Sequence, residues 1–221
     1  MIVTIDGPAG AGKSSVSRLL AERLDFQFLD TGAMYRAATL AVLRANVDCE
    51  DQPRLRQIAM SCDIQVQGTQ VILNGEDVSE EIRTSEVTSA IKHVADDPAI
   101  REWMVKCQRK IAHGTNIVTE GRDQGTVAFP YSKCKIYLTA TPGERARRRV
   151  EDFRNANEPS NYDEVLIQIN LRDMQDMARP VGALKKARDA YELLTDGMSL
   201  EEVIDKLEDV ARQRMAESTE G

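Results

Sequence analysis

The sequence predicts an α/β fold: a five-stranded parallel sheet between two layers of helices, with a lobe inserted midway. Three observations lead there. A β-branched run at residues 2–5 passes into a glycine-rich turn at 7–12 and then into a helical pattern. The order strand, loop, helix, strand then places parallel strands side by side with helices across their faces. The chain has 221 residues, enough for one domain with a sizeable core, and the rhythm breaks only between about 60 and 113.

Each element has a local reason. Residues 2–5 are short and β-branched, as a buried strand should be. From 13 to 24, Val16, Leu19, Leu20 and Leu24 fall near helical spacing, with Arg23 the polar exception. Residues 26–29 predict a second strand and 33–44 a second helix. Around Gly68 and Thr69, residues 63–66 and 70–73 predict a hairpin, and Asn74-Gly75 a turn. Helical patterns resume from about 84 and again after Pro98, through Trp103 to 111. Residues 116–119 and 135–139 predict the third and fourth core strands. Pro142 suits the first turn of a helix rich in Arg145, Arg147, Arg148 and Arg149. A solvated face is the expectation for those arginines. A loop at 155–161 precedes a helix over 163–177, and a second loop surrounds Pro180-Val181-Gly182. Residues 191–194 predict the fifth strand. Ser199, with Glu202 at the third helical position, is a capping-box pattern. The terminal AESTEG is expected to fray.

Composition narrows the function classes. Lys plus Arg number 29 and Asp plus Glu 36, a net charge of -7, which argues against a general nucleic-acid binder. No apolar run approaches the ~18 residues of a membrane span. The opening MIVTIDGPAG lacks the basic region and long apolar stretch of a signal peptide. A cytoplasmic protein without nucleic-acid or membrane partners is expected. Cys49, Cys62, Cys107 and Cys134 are scattered without C-x-x-C, so neither a disulfide scaffold nor a zinc ribbon is expected. Two histidines, His93 and His113, are too few for a histidine-rich metal site.

Gly7-Pro8-Ala9-Gly10-Ala11-Gly12-Lys13-Ser14 satisfies G-x-x-x-x-G-K-[ST]. The glycines let the backbone wrap tightly and turn its N–H groups inward, and the following helix adds its positive N-terminal dipole. Lys13 can reach the β- and γ-phosphates, and the Ser14 hydroxyl can ligate Mg²⁺. The motif lies between a strand and a helix, where its mechanism requires it. Residues 7–14, with Ser15 beside them, are therefore the expected ATP-binding segment. No Lys is followed two places later by Asp, which excludes the N/T-K-x-D guanine reader of GTPases. A small kinase suits the length best, and such an enzyme needs arginines on mobile lobes around the loop.

Five segments in order complete the pattern: I-D-G-P-A-G-A-G-K-S-S (5–15), L-D-T-G-A-M-Y-R (29–36), E-D-V-S-E-E-I-R-T (76–84), E-G-R-D-Q-G-T-V-A-F-P (120–130) and R-D-M-Q-D-M-A-R-P (172–180). Over about residues 2–212 the chain resembles the bacterial-type cytidylate (CMP/dCMP) kinases, members of the nucleoside monophosphate kinases. The resemblance implies a P-loop NTPase-type three-layer core at about 1–60, 114–152 and 181–212. It implies an inserted monophosphate-binding lobe at about 60–113 and a short helical lid at about 153–180. Thr31 and Arg36 are then acceptor-side ligands, Arg36 for the α-phosphate of CMP. Arg101 helps read cytosine, Asp123 accepts from its 4-amino group, and Arg122 pairs with phosphate. Lys13, Arg172 and Arg179 are the implied catalytic residues, the two arginines clamping phosphates as the lid closes. Asp176, with Arg172, touches the ribose, and Glu120 is placed near the Mg²⁺ hydration shell. A monomer is implied.

Spacing alone leaves blander readings open. Arg172, Asp176 and Arg179 would also suit an ordinary ion-pair face. Arg122 and Asp123 would also suit an internal pair, and Arg36 and Arg101 exposed helix positions. Two residues depart from the family pattern: Gln175 stands where another lid arginine is frequent, and Lys92 where a small hydroxyl residue often reads the base. The expected reaction is Mg-dependent phosphoryl transfer from ATP to CMP or dCMP. A kinase for UMP or shikimate, or a nucleotide-binding switch without turnover, remains the alternative.

Overall fold

The computed structural model describes residues 1–155, 157–158 and 160–219. In chain order the elements are β1 (Ile2–Asp6), α1 (Lys13–Leu24), β2 (Gln27–Asp30), α2 (Thr31–Arg44), α3 (Gln52–Met60), β3 (Ile64–Gln67), β4 (Gln70–Leu73) and β5 (Glu76–Asp77). There follow α4 (Ser85–Ala95), α5 (Pro98–Ala112), β6 (Ile117–Gly121), β7 (Cys134–Thr139), α6 (Pro142–Asn155), α7 (Tyr162–Ala178), β8 (Tyr191–Leu194) and α8 (Leu200–Thr219).

The main sheet has the order β2-β6-β1-β7-β8, and every neighbouring pair is parallel. Its strands are β-branched and apolar because both faces are covered. On one face Val3, Ile5, Val118, Ile136 and Leu138 pack with Val16 and Leu20 of α1 and Leu207 of α8. On the other, Leu29 and Ile117 join Met34 of α2, Leu55 of α3, Ile91 of α4 and Met104 of α5. The central strand β1 ends at Asp6, so the glycine-rich loop emerges mid-sheet at the carboxyl edge. Ligands bind there in open α/β sheets. The small antiparallel sheet β3-β4-β5 lies between α3 and α4 in the chain.

All five core strands and the hairpin lie where the sequence places them, with boundary shifts. β2 runs one residue later than the expected 26–29, and β6 extends through Glu120 to Gly121. The second helix begins at Thr31 rather than 33, because Asp30 caps it by accepting from the Ala33 N–H at 2.9 Å. Helix α3 had no counterpart in the sequence reading. Only Leu55 and Ala59 are buried along it, too few to print a periodicity, although Asp51 and Pro53 form an N-terminal signature. Of the expected loop 155–161, Asn155 instead ends α6; Ala156 and Pro159 lie outside the described residues. The expected fraying at the C-terminus does not hold for 216–219, which continue α8; 220–221 lie outside the described residues.

Helix α8 starts with the expected capping box: Glu202 N–H donates to Ser199 Oγ at 3.2 Å, and Ser199 N–H to Glu202 Oε2 at 2.8 Å. Ser199→Ala should cost about 1 kcal/mol and lower Tm by about 2–4 °C. A thermal melt checks this, and an unchanged Tm would mean that packing alone fixes the helix start.

Candidate active site

The loop after β1 is shaped by close approach. A Cβ on Gly7 would lie 1.9 Å from the Leu138 carbonyl oxygen, so β7 leaves room only for hydrogen. Gly12 ends the loop in the left-handed region at φ 84 and precedes α1 with no side-chain cap. The first N–H groups of α1 are thus left for an anion. Lys13 is buried and donates from Nζ to the Pro8 carbonyl at 2.8 Å. Ser14 donates its hydroxyl to Oε1 of buried Glu120 at the end of β6. Burial lifts Glu120 above the usual carboxylate range, against the opposing charge of Lys13. Nearby Asp6, pushed up to about 6 by burial, accepts from the N–H groups of Gln124 and Gly125 at 2.8 and 2.7 Å. Asp6 thereby fixes the turn that follows Arg122 and Asp123.

Three arginines converge on one carboxylate. Asp176 is fully buried (0% exposed). Its Oδ2 accepts from Arg122 Nε at 2.7 Å, and its Oδ1 from Arg172 Nε at 3.1 Å. Arg179 Nη2 lies 2.6 Å from the same Oδ1. Burial alone would raise Asp176, yet the three guanidinium charges hold it below its ordinary range. The charges of Arg122 and Asp176 also reach Lys13, so this knot stands beside the glycine-rich loop. Arg179 also donates through Nε to Asp96, just past α4, at 2.5 Å. The spacing-based view that 172, 176 and 179 share a face holds, although Arg179 sits one residue beyond α7.

Of the other residues expected on the acceptor side, Thr31 and Asp123 follow β2 and β6 at the same sheet edge, while Arg36 and Arg101 come from α2 and α5. Thr31 donates to the Glu120 carbonyl at 2.6 Å. Arg36 donates to the Ile82 carbonyl at 3.1 Å and to Thr88 Oγ1 at 2.9 Å. Arg122 does not pair with its neighbour Asp123. Asp123 instead meets Arg101 of α5 at 2.6 Å, with 6% and 4% of the two side chains exposed. Arg101 also packs over Tyr35, 5.4 Å from the ring centroid. Among the described residues its buried Nε has no hydrogen-bond partner, an unspent donor beside a carboxylate. Lys92, by contrast, is exposed and lines an outer cleft with His93 and Asp96, and Gln175 is exposed on α7.

Beyond the glycine-rich loop, a cavity of about 470 Å³ is lined by Ala11, Gly12, Ser15, Arg148, Thr195 and Met198, among others. Arg148 forms part of its wall, donating to Glu144 at 2.8 Å and to the Thr195 carbonyl at 2.9 Å. Of the arginine cluster only part is solvated. Arg147 and Arg149 are exposed, but Arg145 is buried and touches the loop, contrary to expectation. It follows Pro142 by three residues, which turns it back under the sheet edge. Gly182 was also missed. With φ +68, it crosses the Arg101–Asp123 pair so closely that a Cβ would lie 2.2 Å from Asp123 Oδ2. A glycine two residues after a proline was the available signal.

A phosphate loop on a parallel sheet, an uncapped helix N-terminus above a buried lysine, and a facing set of arginines define a P-loop phosphotransferase. The family model for cytidylate kinase matches residues 3–213, and the chain belongs to that family. A cytidylate kinase of Rhodopirellula baltica is 49% identical over 213 residues, covering 96% of this chain and 93% of the relative. One from Caldanaerobacter subterraneus is 46% identical over 211 residues, covering 96% and 94%. An uncharacterised protein from Eubacterium ventriosum shares the fold, with a TM-score of 0.50 and 13% identity over 94% of this chain and 95% of that one.

Proposed function

We propose that this protein transfers the γ-phosphoryl group of ATP to CMP or dCMP, giving ADP and CDP or dCDP. The family supports it. The observation that carries the mechanism is the knot of Arg122, Arg172 and Arg179 on Asp176 beside Lys13. A phosphate oxygen of the acceptor attacks the γ-phosphorus, and the bond to the β–γ bridging oxygen breaks. The acceptor is already an oxyanion near neutral pH, so no strong base is needed. Catalysis is alignment plus charge stabilisation. Residues 7–15 bind the donor, and the cavity by Arg148 accepts its base. Arg36 and Arg122 take the acceptor phosphate, and the arginines at 172 and 179 close on the transferring group. About 60–113 act as the acceptor lobe and about 153–180 as the lid.

The Ser14 hydroxyl and the Glu120 carboxylate are in contact at the head of α1. Both are hard oxygen donors, which fits Mg²⁺ shared with phosphates and water. The ion, when bound, would screen the donor phosphates. Among the described residues no helix is long and apolar enough to cross a membrane. The working form is a cytoplasmic monomer.

An ADP-release assay with Mg-ATP, comparing CMP, dCMP, UMP, AMP and shikimate, tests the reading. Fast turnover with CMP and dCMP and little with UMP is expected; a preference for UMP or shikimate would overturn the acceptor assignment. No turnover with any acceptor would leave a nucleotide-binding switch. The carboxylate of Asp123 can accept from the cytosine 4-amino group but meets a carbonyl in uracil. Asp123→Asn keeps an acceptor for Arg101 yet offers uracil a donor. The CMP-over-UMP ratio in kcat/KM should then fall by about 10–100-fold; an unchanged ratio would remove Asp123 from base choice.

A further inference from the structure

Arg145 occupies a position that phosphate binding alone does not explain. It lies in the first turn of α6, with 3% of its side chain exposed. Its Nε donates to the Ala140 carbonyl at 3.0 Å, one residue past β7, and its Nη1 to the Ala9 carbonyl of the phosphate loop, also at 3.0 Å. The guanidinium forks onto Asp173 of α7, Nη1 to Oδ1 at 3.1 Å and Nη2 to Oδ2 at 2.5 Å. Its aliphatic stem packs under Gly10, where a Cβ would lie 3.5 Å from that of Arg145. One side chain therefore joins the tip of the phosphate loop, the sheet edge and the helix that carries Arg172 and Asp176.

We infer that Arg145 and Asp173 are positioning residues that couple occupancy of the phosphate loop to closure of the acceptor-side arginines. The inference rests on the kinase reading above and adds a route within it. Asp173 is adjacent to Arg172 and three residues before Asp176, so it moves with them on one rigid helix. A two-pronged, desolvated ion pair transmits displacement because its geometry is fixed at both ends. When donor phosphates settle the Ala9–Gly10 backbone, Arg145 and hence α7 are held in place. When α7 closes on the acceptor, the same link holds the loop. By linkage the effect is reciprocal: each substrate tightens the other by one factor. A merely structural cross-link would stabilise the fold and leave that factor alone.

The test measures CMP affinity calorimetrically on the full chain, with and without a non-hydrolysable ATP analogue and Mg²⁺. In the parent, CMP should bind about tenfold or more tightly with the analogue present, a normal size for coupling. In the double variant Arg145→Met/Asp173→Leu the ratio should fall to about one. Apolar replacement of a buried ion pair often keeps or raises stability, so the melt of this variant should stay near the parent's. If it does not fold, Arg145→Lys, which keeps the charge and loses the fork, must show the same fall. A parent-like ratio in the folded double variant, or in Arg145→Lys, overturns the inference. So does a parent that turns over CMP but shows no donor effect on its affinity. A parent with no CMP-dependent ADP formation would instead overturn the kinase reading.

Discussion

Lys13→Met is expected to lower kcat by about 10³-fold while the protein stays folded. Lys13 is buried against the loop it serves, its Nζ bonded only weakly in charge terms, to the Pro8 carbonyl. Burial, and then the like charge of Arg122, hold the ammonium well below the ordinary lysine range, with Glu120 and Asp6 opposing. Burial thus presses this cation towards neutrality. Donor phosphates reverse that balance, because their negative charge favours the protonated form. The bound pKa thus exceeds the free one, and between the two the complex holds more protons. ATP binding should take up protons on the alkaline side of neutrality, and affinity should fall as pH rises there. Calorimetry of ATP binding in two buffers of different ionisation enthalpy measures the uptake directly. Uptake that persists in Lys13→Met would assign the titration to another group, and near-parent kcat in that variant would remove Lys13 from the chemistry.

The sequence made the donor side legible because its chemistry is local. Eight consecutive residues set the loop, and the strand before and helix after set its orientation. The β-branched runs were equally readable, since strands covered on both faces are apolar throughout. The acceptor side was legible only in part. Residues 122, 123, 172, 176 and 179 could be named, and spacing offered the ion pairs of 172 and 179 with 176, but the partners of 122 and 123 could not be read. Nothing in the order Arg122-Asp123 says that one turns to α7 and the other to α5; that is decided by the Asp6 contacts to Gln124 and Gly125 and by helix packing. Arg145 was hidden for a similar reason. Among four arginines in five residues, the helix phase relative to the sheet edge selects which one is buried, and α6 carries too few apolar residues to reveal that phase. The role of Gly182 was harder to read: Pro180 and the glycine mark a loop, but a close approach between distant segments leaves no periodicity.

Asp176→Asn is the second large expected effect. The resemblance assigned this carboxylate to the ribose, but both of its oxygens are taken by Arg122, Arg172 and Arg179. The two roles make different forecasts. As the common counter-charge, Asp176 does two things: it fixes three guanidinium groups in one arrangement and cancels one unit of their charge. The amide keeps an acceptor for one arginine and presents a donor to another. The arginines then carry more net charge in a looser geometry. Anions should bind at least as well, while the alignment needed in the transition state is lost. We expect kcat to fall by about 10²–10³-fold, KM for CMP to change little, and inorganic phosphate to inhibit more strongly than in the parent. Because the arginines hold Asp176 below its ordinary pKa, its stabilising charge is present above the unfolded carboxylate pKa and is lost only as pH falls through the lower folded value. The parent should therefore melt above the variant at neutral and mildly acidic pH, and a series of melts should show that gap closing as pH falls below the ordinary carboxylate pKa. If the ribose were its main partner, the outcome would invert: KM would rise with kcat largely spared, and the loss would differ between CMP and dCMP because the 2′-hydroxyl would be the group left unpaired.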